Sequence, residues 1–105
     1  MYIDRIPASR FTLKKFRKSK TRHKKYDAII VDIKTRKEYI VPFGDNRYEH
    51  FRDTTGLGLY SKYDHNDKER RDRYRARHRA IKLKDGTPAY KKKYSPAWFS
   101  YNFLW

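Results

Sequence analysis

The chain contains no cysteine. That excludes disulfides and every thiolate–metal staple, including the common zinc patterns. It is in keeping with a reducing compartment. No apolar stretch approaches the roughly 20 residues that a bilayer-spanning helix needs, and no hydrophobic signal segment follows Met1. A soluble protein made in a cytoplasm, with no membrane partner, is expected. Carboxylates are scarce: 12 Asp and Glu stand against 28 Lys and Arg, for a formal charge of +16. A field that strong attracts polyanions and repels further copies of the chain. Motifs of common chemistry are also missing. There is no Ser/His/Asp or Cys/His nucleophile arrangement, and no zinc finger, RNP motif or helix-turn-helix. The Gly56-Leu57-Gly58 triplet lacks the third glycine and the strand–turn–helix setting of a nucleotide loop, so it reads as a turn. No enzyme activity, metal or cofactor is expected.

What the chain does have is rings. Aromatics make up 17% of its 105 residues, which sets it apart from disordered, highly charged sequences. The length suits one small domain. Charge divides the chain in three. Residues 1–25 carry 10 bases and one acid, residues 26–65 carry 6 bases and 7 acids, and residues 66–105 carry 12 bases and 4 acids. A neutral middle is bracketed by two cationic flanks.

In the first flank Phe11, Leu13 and Phe16 are the only large apolar groups of RFTLKKFRKSKTRHKK, and they form no helical stripe. Residues 1–25 therefore read as an extended basic arm, ordered on a partner. Residues 26–105 read as a single α+β domain, a β-hairpin packed against two short helices. The hairpin pairs Ala28 to Ile33 with Glu38 to Phe43 across the link Lys34-Thr35-Arg36-Lys37. Pro42 cannot donate to a ladder, which places it on an edge strand. A short helix is expected over Arg47 to Asp53, with Tyr48 and Phe51 on one face. The longest helix spans 66–82, with Asn66 as N-cap and Glu69 closing a capping box. Tyr74, His78 and Ile81 give it a thin docking seam, and Arg71, Arg73, Arg75 and Arg79 point outward. A turn on Asp85-Gly86 and Pro88 leads to the triplet Lys91, Lys92 and Lys93.

The last twelve residues, YSPAWFSYNFLW, hold six aromatics and no charged side chain. Ser95 suits an N-cap and Pro96 the first helical position, so a helix over about 96–104 is expected. Its apolar arc is too wide for one surface-facing side. It is expected to supply the missing half of the core, with Trp98, Tyr101 and Trp105 partly left as anchors for a partner.

VPFG at 41–44, YEHFRDTTGLGLYS at 48–61, DHNDKERRDRYRARH at 64–78 and YSPAWFSYNFLW at 94–105 together resemble a pattern found in small basic proteins of large double-stranded DNA viruses. Giant viruses, phycodnaviruses and some large phages encode them. A strand ending in Phe-Gly, an Asp-His-x-Asp segment, an Arg-rich helix ending in Arg-His and an aromatic close follow one another. The likeness covers about 41–105 and leaves the arm outside it. It carries no activity to transfer onto individual residues. It implies a viral origin and a component of the virion or of the genome it packages.

Two functions follow. The first is a non-enzymatic virion component, a minor capsid or cement-type structural protein, located in the virion and in host cytoplasm during assembly. It would grip acidic capsid proteins or the genome. The second is a sequence-nonspecific DNA- or RNA-binding protein. In both, the grip is assigned to Lys14, Lys15, Arg17, Lys18, Lys20, Arg22, Lys24 and Lys25 of the arm, to the four helix arginines and to the lysine triplet. Asp64, His65, Asp67 and His78 are the sole cluster with metal-ligand chemistry. An Asp-His pair before a helix is reminiscent of ββα-metal nucleases, but the further helix ligand is lacking. Local turn and cap roles account for these residues more simply.

Overall fold

Three antiparallel strands, β1 (Phe11–Lys18), β2 (Lys24–Asp32) and β3 (Glu38–Asp45), form one sheet in that order. Two helices follow, α1 (Lys68–Arg79) and α2 (Pro96–Phe103). The structure is a computed structural model and describes residues 7–105. The architecture is α+β, with the expected hairpin formed by β2 and β3. Pro42 sits on the edge strand β3, opposite Asp27. Asp32 organises the hairpin link: its Oδ1 accepts from the amides of Lys34 at 2.9 Å and Thr35 at 3.3 Å.

The arm is corrected by the structure. Residues 11–18 are a strand of the sheet, not an extension from it. Residues 1–6 of the expected arm lie outside the described residues. The register between β1 and β2 shifts between Leu13 and Lys15, so Lys14 is the extra residue of a β-bulge. Phe11 pairs with Asp32, Leu13 with Ile30 and, after the bulge, Phe16 with Ala28. The inserted residue restores Phe16 to the face that Phe11 and Leu13 share. All three then join Tyr26, Ala28, Ile30, Val41 and Phe43 in one apolar cluster.

Helix α2 covers that face. Phe99 is fully buried and stacks on Phe43 at 5.2 Å between centroids, while Phe103 meets Phe16 at 4.8 Å. Leu104 is buried beside them. The expected start signal holds: Ser95 Oγ accepts from the Trp98 amide at 3.1 Å, and Pro96 opens the helix. Ser95 also donates to the buried Ala89 carbonyl at 3.0 Å. Tyr94, at φ 72°, turns the chain into the helix and places its ring against Phe11 of β1. Burying one large aromatic contributes roughly 2–3 kcal/mol. The tail is thus the second layer of the core.

Between sheet and helices the expected helix over Arg47–Asp53 does not form. The amide of His50 bonds to Tyr63 O, that of Arg52 to Leu104 O and that of Thr54 to Phe103 O. These donors tie an irregular segment to both of its neighbours rather than to a helical turn. The N-cap of α1 is Asp67, one residue later than expected. Its side chain accepts from the Glu69 and Arg70 amides. Asn66 is occupied elsewhere: its amide goes to Phe51 O and its Oδ1 accepts from Arg52 Nε, with φ at 53°. The helix stops at Arg79 instead of Lys82, because Lys82 bridges to Pro88 around the Asp85-Gly86 turn.

Candidate polyanion interface

Arginine on every side of α1 gives the helix no dominant apolar face, so ring partners decide which guanidinium groups turn inward. Arg71 lies over the Phe51 ring at 4.7 Å. Arg75 lies over Tyr101 at 5.0 Å and donates to the Trp105 carbonyl at 2.8 Å. Arg79 is exposed but donates to the Tyr101 hydroxyl at 3.2 Å. Of the four arginines expected outward, Arg71 is held on Phe51, Arg75 and Arg79 are held by the aromatic tail, and Arg73 projects outward, 3.9 Å from the exposed Glu69. Arg70 and Arg77, absent from the expected set, share its face. Arg70, Arg73, Arg77 and Trp105 together line a concavity of about 300 Å³. Arg70 pairs with Glu49 at 3.0 Å, and Arg77 pairs with no described carboxylate.

The seam of α1 is a column of rings. Tyr74 stacks on His78 at 3.8 Å on one side and on Trp105 at 4.0 Å, within 5° of parallel, on the other. Ile81, expected in this seam, is about half exposed instead. Burial lowers the affinity of His78 for a proton, and the Arg77 charge lowers it further. Burial also pushes the Tyr74 hydroxyl up to about 12. Trp98 packs among Tyr94, Phe99 and Phe103, and Tyr101 lies against Tyr90. All three expected anchors, Trp98, Tyr101 and Trp105, are therefore half-buried against their own chain.

Beside the concavity opens a cleft of about 400 Å³, walled by α1 residues Arg70, Tyr74 and Arg77 and by Asp45 and Tyr48 across from them. The β1–β2 turn abuts that far wall: Lys24 pairs with Asp45, and the His23 carbonyl accepts from the Asn46 amide at 3.1 Å. Lys18, Lys20 and Arg22 of this turn are exposed. Of the first cationic flank, the buried Lys25 lines the cleft itself, and the turn adjoins its Asp45 edge. The remaining expected cations are placed differently. Lys14 pairs with Glu38, and Arg17 with the buried Asp27. Lys15, Lys91 and Lys93 are exposed, and Lys92 is half-buried.

Lys25, expected on the surface, is buried. Its ammonium donates to the Tyr48 carbonyl at 2.7 Å and to His50 Nδ1 at 2.8 Å. The opposite nitrogen, Nε2, donates to Asp64 Oδ1 at 2.6 Å. Asp64 also accepts from the Asp53 amide, and Asp53 accepts from the Tyr26 hydroxyl. Burial is the largest influence on Lys25 and brings its pKa down to about 8. His50 is shifted down by burial and by the Lys25 charge, which keeps it neutral and its Nδ1 free to accept. The relay fastens the irregular 46–64 segment to β2.

No family model, curated protein or solved structure matches the chain.

The Asp64, His65, Asp67 and His78 group does not converge. Asp64 faces His50, His65 Nδ1 accepts from the Asp67 amide, Asp67 caps α1 and His78 stacks on Tyr74. Among the described residues no group of three or more His, Asp and Glu is placed to hold a metal ion. Sequence reasoning missed the importance of His50, the fully buried histidine, because no periodicity links it to Lys25 or Asp64. It also missed Arg70 and Arg77, whose direction depends on which neighbouring arginines the rings capture.

Proposed function

We propose that the protein is a non-enzymatic virion component of a large double-stranded DNA virus, a minor capsid or cement-type protein that grips polyanionic surfaces through Lys and Arg. One observation carries the reading. Every described carboxylate is engaged within the molecule, as a loop anchor, a helix cap or one half of an ion pair. Cations such as Lys18, Lys20, Arg22 and Arg77 pair with none of them. The acids hold the fold and the surplus of bases faces out. A field of that sign steers the molecule toward negative partners, acidic capsid faces or packaged genome. The viral setting rests on the sequence pattern at 41–105. The test is fractionation of purified particles of the source virus. The protein should co-purify with intact particles at a constant ratio and leave them in high salt. Its absence from washed particles would refute the reading.

A further inference from the structure

The exposed face of α1 and the cleft beside it hold charge in an arrangement that distinguishes one polyanion from another. Arg70, Arg73 and Arg77 recur at i, i+3 and i+7, and they converge on one concavity with Trp105 as its apolar side. From Arg70 to Arg77 the helix axis advances about 10 Å, at about 1.5 Å per residue. One strand of a duplex presents a phosphate about every 3.4 Å along its axis. That length of helix is about three phosphate intervals, so the three guanidinium groups together span a run of about four phosphates on one strand. A guanidinium binds phosphate oxygens in a fork, two parallel hydrogen bonds at a time. The exposed Lys18, Lys20 and Arg22 add the same sign of charge at the β1–β2 turn, whose His23 and Lys24 neighbour Asn46 and Asp45. The carboxylates that face this strip, Asp45, Glu49 and Glu69, are each held by an arginine, Arg47, Arg70 and Arg73 respectively. With those carboxylates engaged and Arg77 paired with no described carboxylate, a row of forked cations along one helix face suits a polyanion whose charges repeat along a line better than the irregular carboxylates of a protein face.

We propose that the Arg70–Arg73–Arg77 concavity is a binding site for the phosphodiester backbone of nucleic acid, independent of base sequence, with the β1–β2 turn as its second contact. The inference rests on the polyanion-gripping reading and names its partner.

Trp105 lines the concavity and supplies the probe. Only two tryptophans are present, so Trp98→Phe leaves Trp105 as the sole indole reporter. This protein is titrated with a 30-base-pair DNA duplex, and separately with poly-glutamate, at several salt concentrations. Circular dichroism checks that each variant is folded. Arg73 and Arg77 are exposed, so Arg73→Gln/Arg77→Gln leaves the core untouched. DNA should change Trp105 emission, and the double variant should bind about tenfold or more weakly. Its log–log salt slope should fall by about 2, one for each lost phosphate contact. Equal response to poly-glutamate, with the same arginine dependence, would overturn the assignment to nucleic acid while leaving the polyanion reading intact. DNA binding that neither perturbs Trp105 nor depends on Arg73 and Arg77 would overturn the site. Failure of both polymers to bind would overturn the polyanion reading itself.

Discussion

Stability should rise as the solution is made alkaline, peak near pH 10 and then fall. The rise comes from Lys25. Its pKa is 10.5 in the unfolded chain and about 8 in the fold, where burial penalises the ammonium. Between those values the unfolded chain holds a proton that the folded chain has released, so stability increases with pH. At 1.36 kcal/mol per pKa unit, the gain from pH 7 to pH 10 is about 2.5 kcal/mol. The fall comes from Tyr26 and Tyr74, both raised from 10.0 to about 12. Above pH 10 the unfolded tyrosines ionise while the folded ones do not, and stability is lost as pH rises toward 12. Thermal melts followed by circular dichroism from pH 7 to 11 measure the profile. The Lys25 part corresponds to roughly 10 °C or more in Tm, at about 4–8 °C per kcal/mol. Relief of charge repulsion near the isoelectric point also raises Tm, so Lys25→Met is the control that isolates the effect. Met leaves His50 Nδ1 and Tyr48 O without their donor at every pH, which lowers the curve without tilting it. The variant should therefore lose the extra slope between pH 8 and 10. Parallel profiles for the two proteins would refute the argument.

Two substitutions probe the closure of the core. Gly44, next to last in β3, has φ +75°, and a Cβ there would lie 2.8 Å from Leu104 Cδ1 and 3.3 Å from Lys25 Cβ. Gly44→Ala combines a left-handed backbone with overpacking and should cost about 2–4 kcal/mol, read from urea melts. Ser95→Ala removes the N-cap of α2 and one of the two donors to the buried Ala89 carbonyl, leaving it the Lys92 amide. A loss of about 2 kcal/mol is expected, with a lower urea midpoint and an unchanged m-value.

Local signals that physics enforces locally were readable in the residues. Ser95-Pro96 announces α2, Pro42 marks an edge, and Asp85-Gly86 makes its turn. β1 was hidden by one residue. Lys14 breaks the alternation of Phe11, Leu13 and Phe16, and a bulged strand then imitates a charged, patternless arm. Asn66 and Asp67 are both good caps, and only the tertiary bonds of Asn66 to Phe51 and Arg52 decide between them. For the candidate interface, the surplus of cations is plain in the sequence, but which of them point outward is not. Arg71 and Arg75 carry the same charge as Arg73 and Arg77, yet Phe51 and Tyr101 draw the first two inward. Lys25 sat in the densest cationic run of the chain and went to the interior, because His50 and Tyr48 offered its ammonium two acceptors.

The account stands on the C-terminal rings as the layer that closes the sheet and orients α1. Removing residues 94–105 takes away Tyr94, Phe99 and Leu104 from the buried cluster, along with the Trp105 carbonyl and the Tyr101 ring that hold Arg75. Roughly 2–3 kcal/mol for each large buried side chain sums to about the whole stability of a domain this size, roughly 5–15 kcal/mol. The direct measurement is a thermal melt of the shortened chain beside the intact one. The account predicts that the shortened chain shows no cooperative transition. A cooperative melt at an unchanged temperature would contradict it.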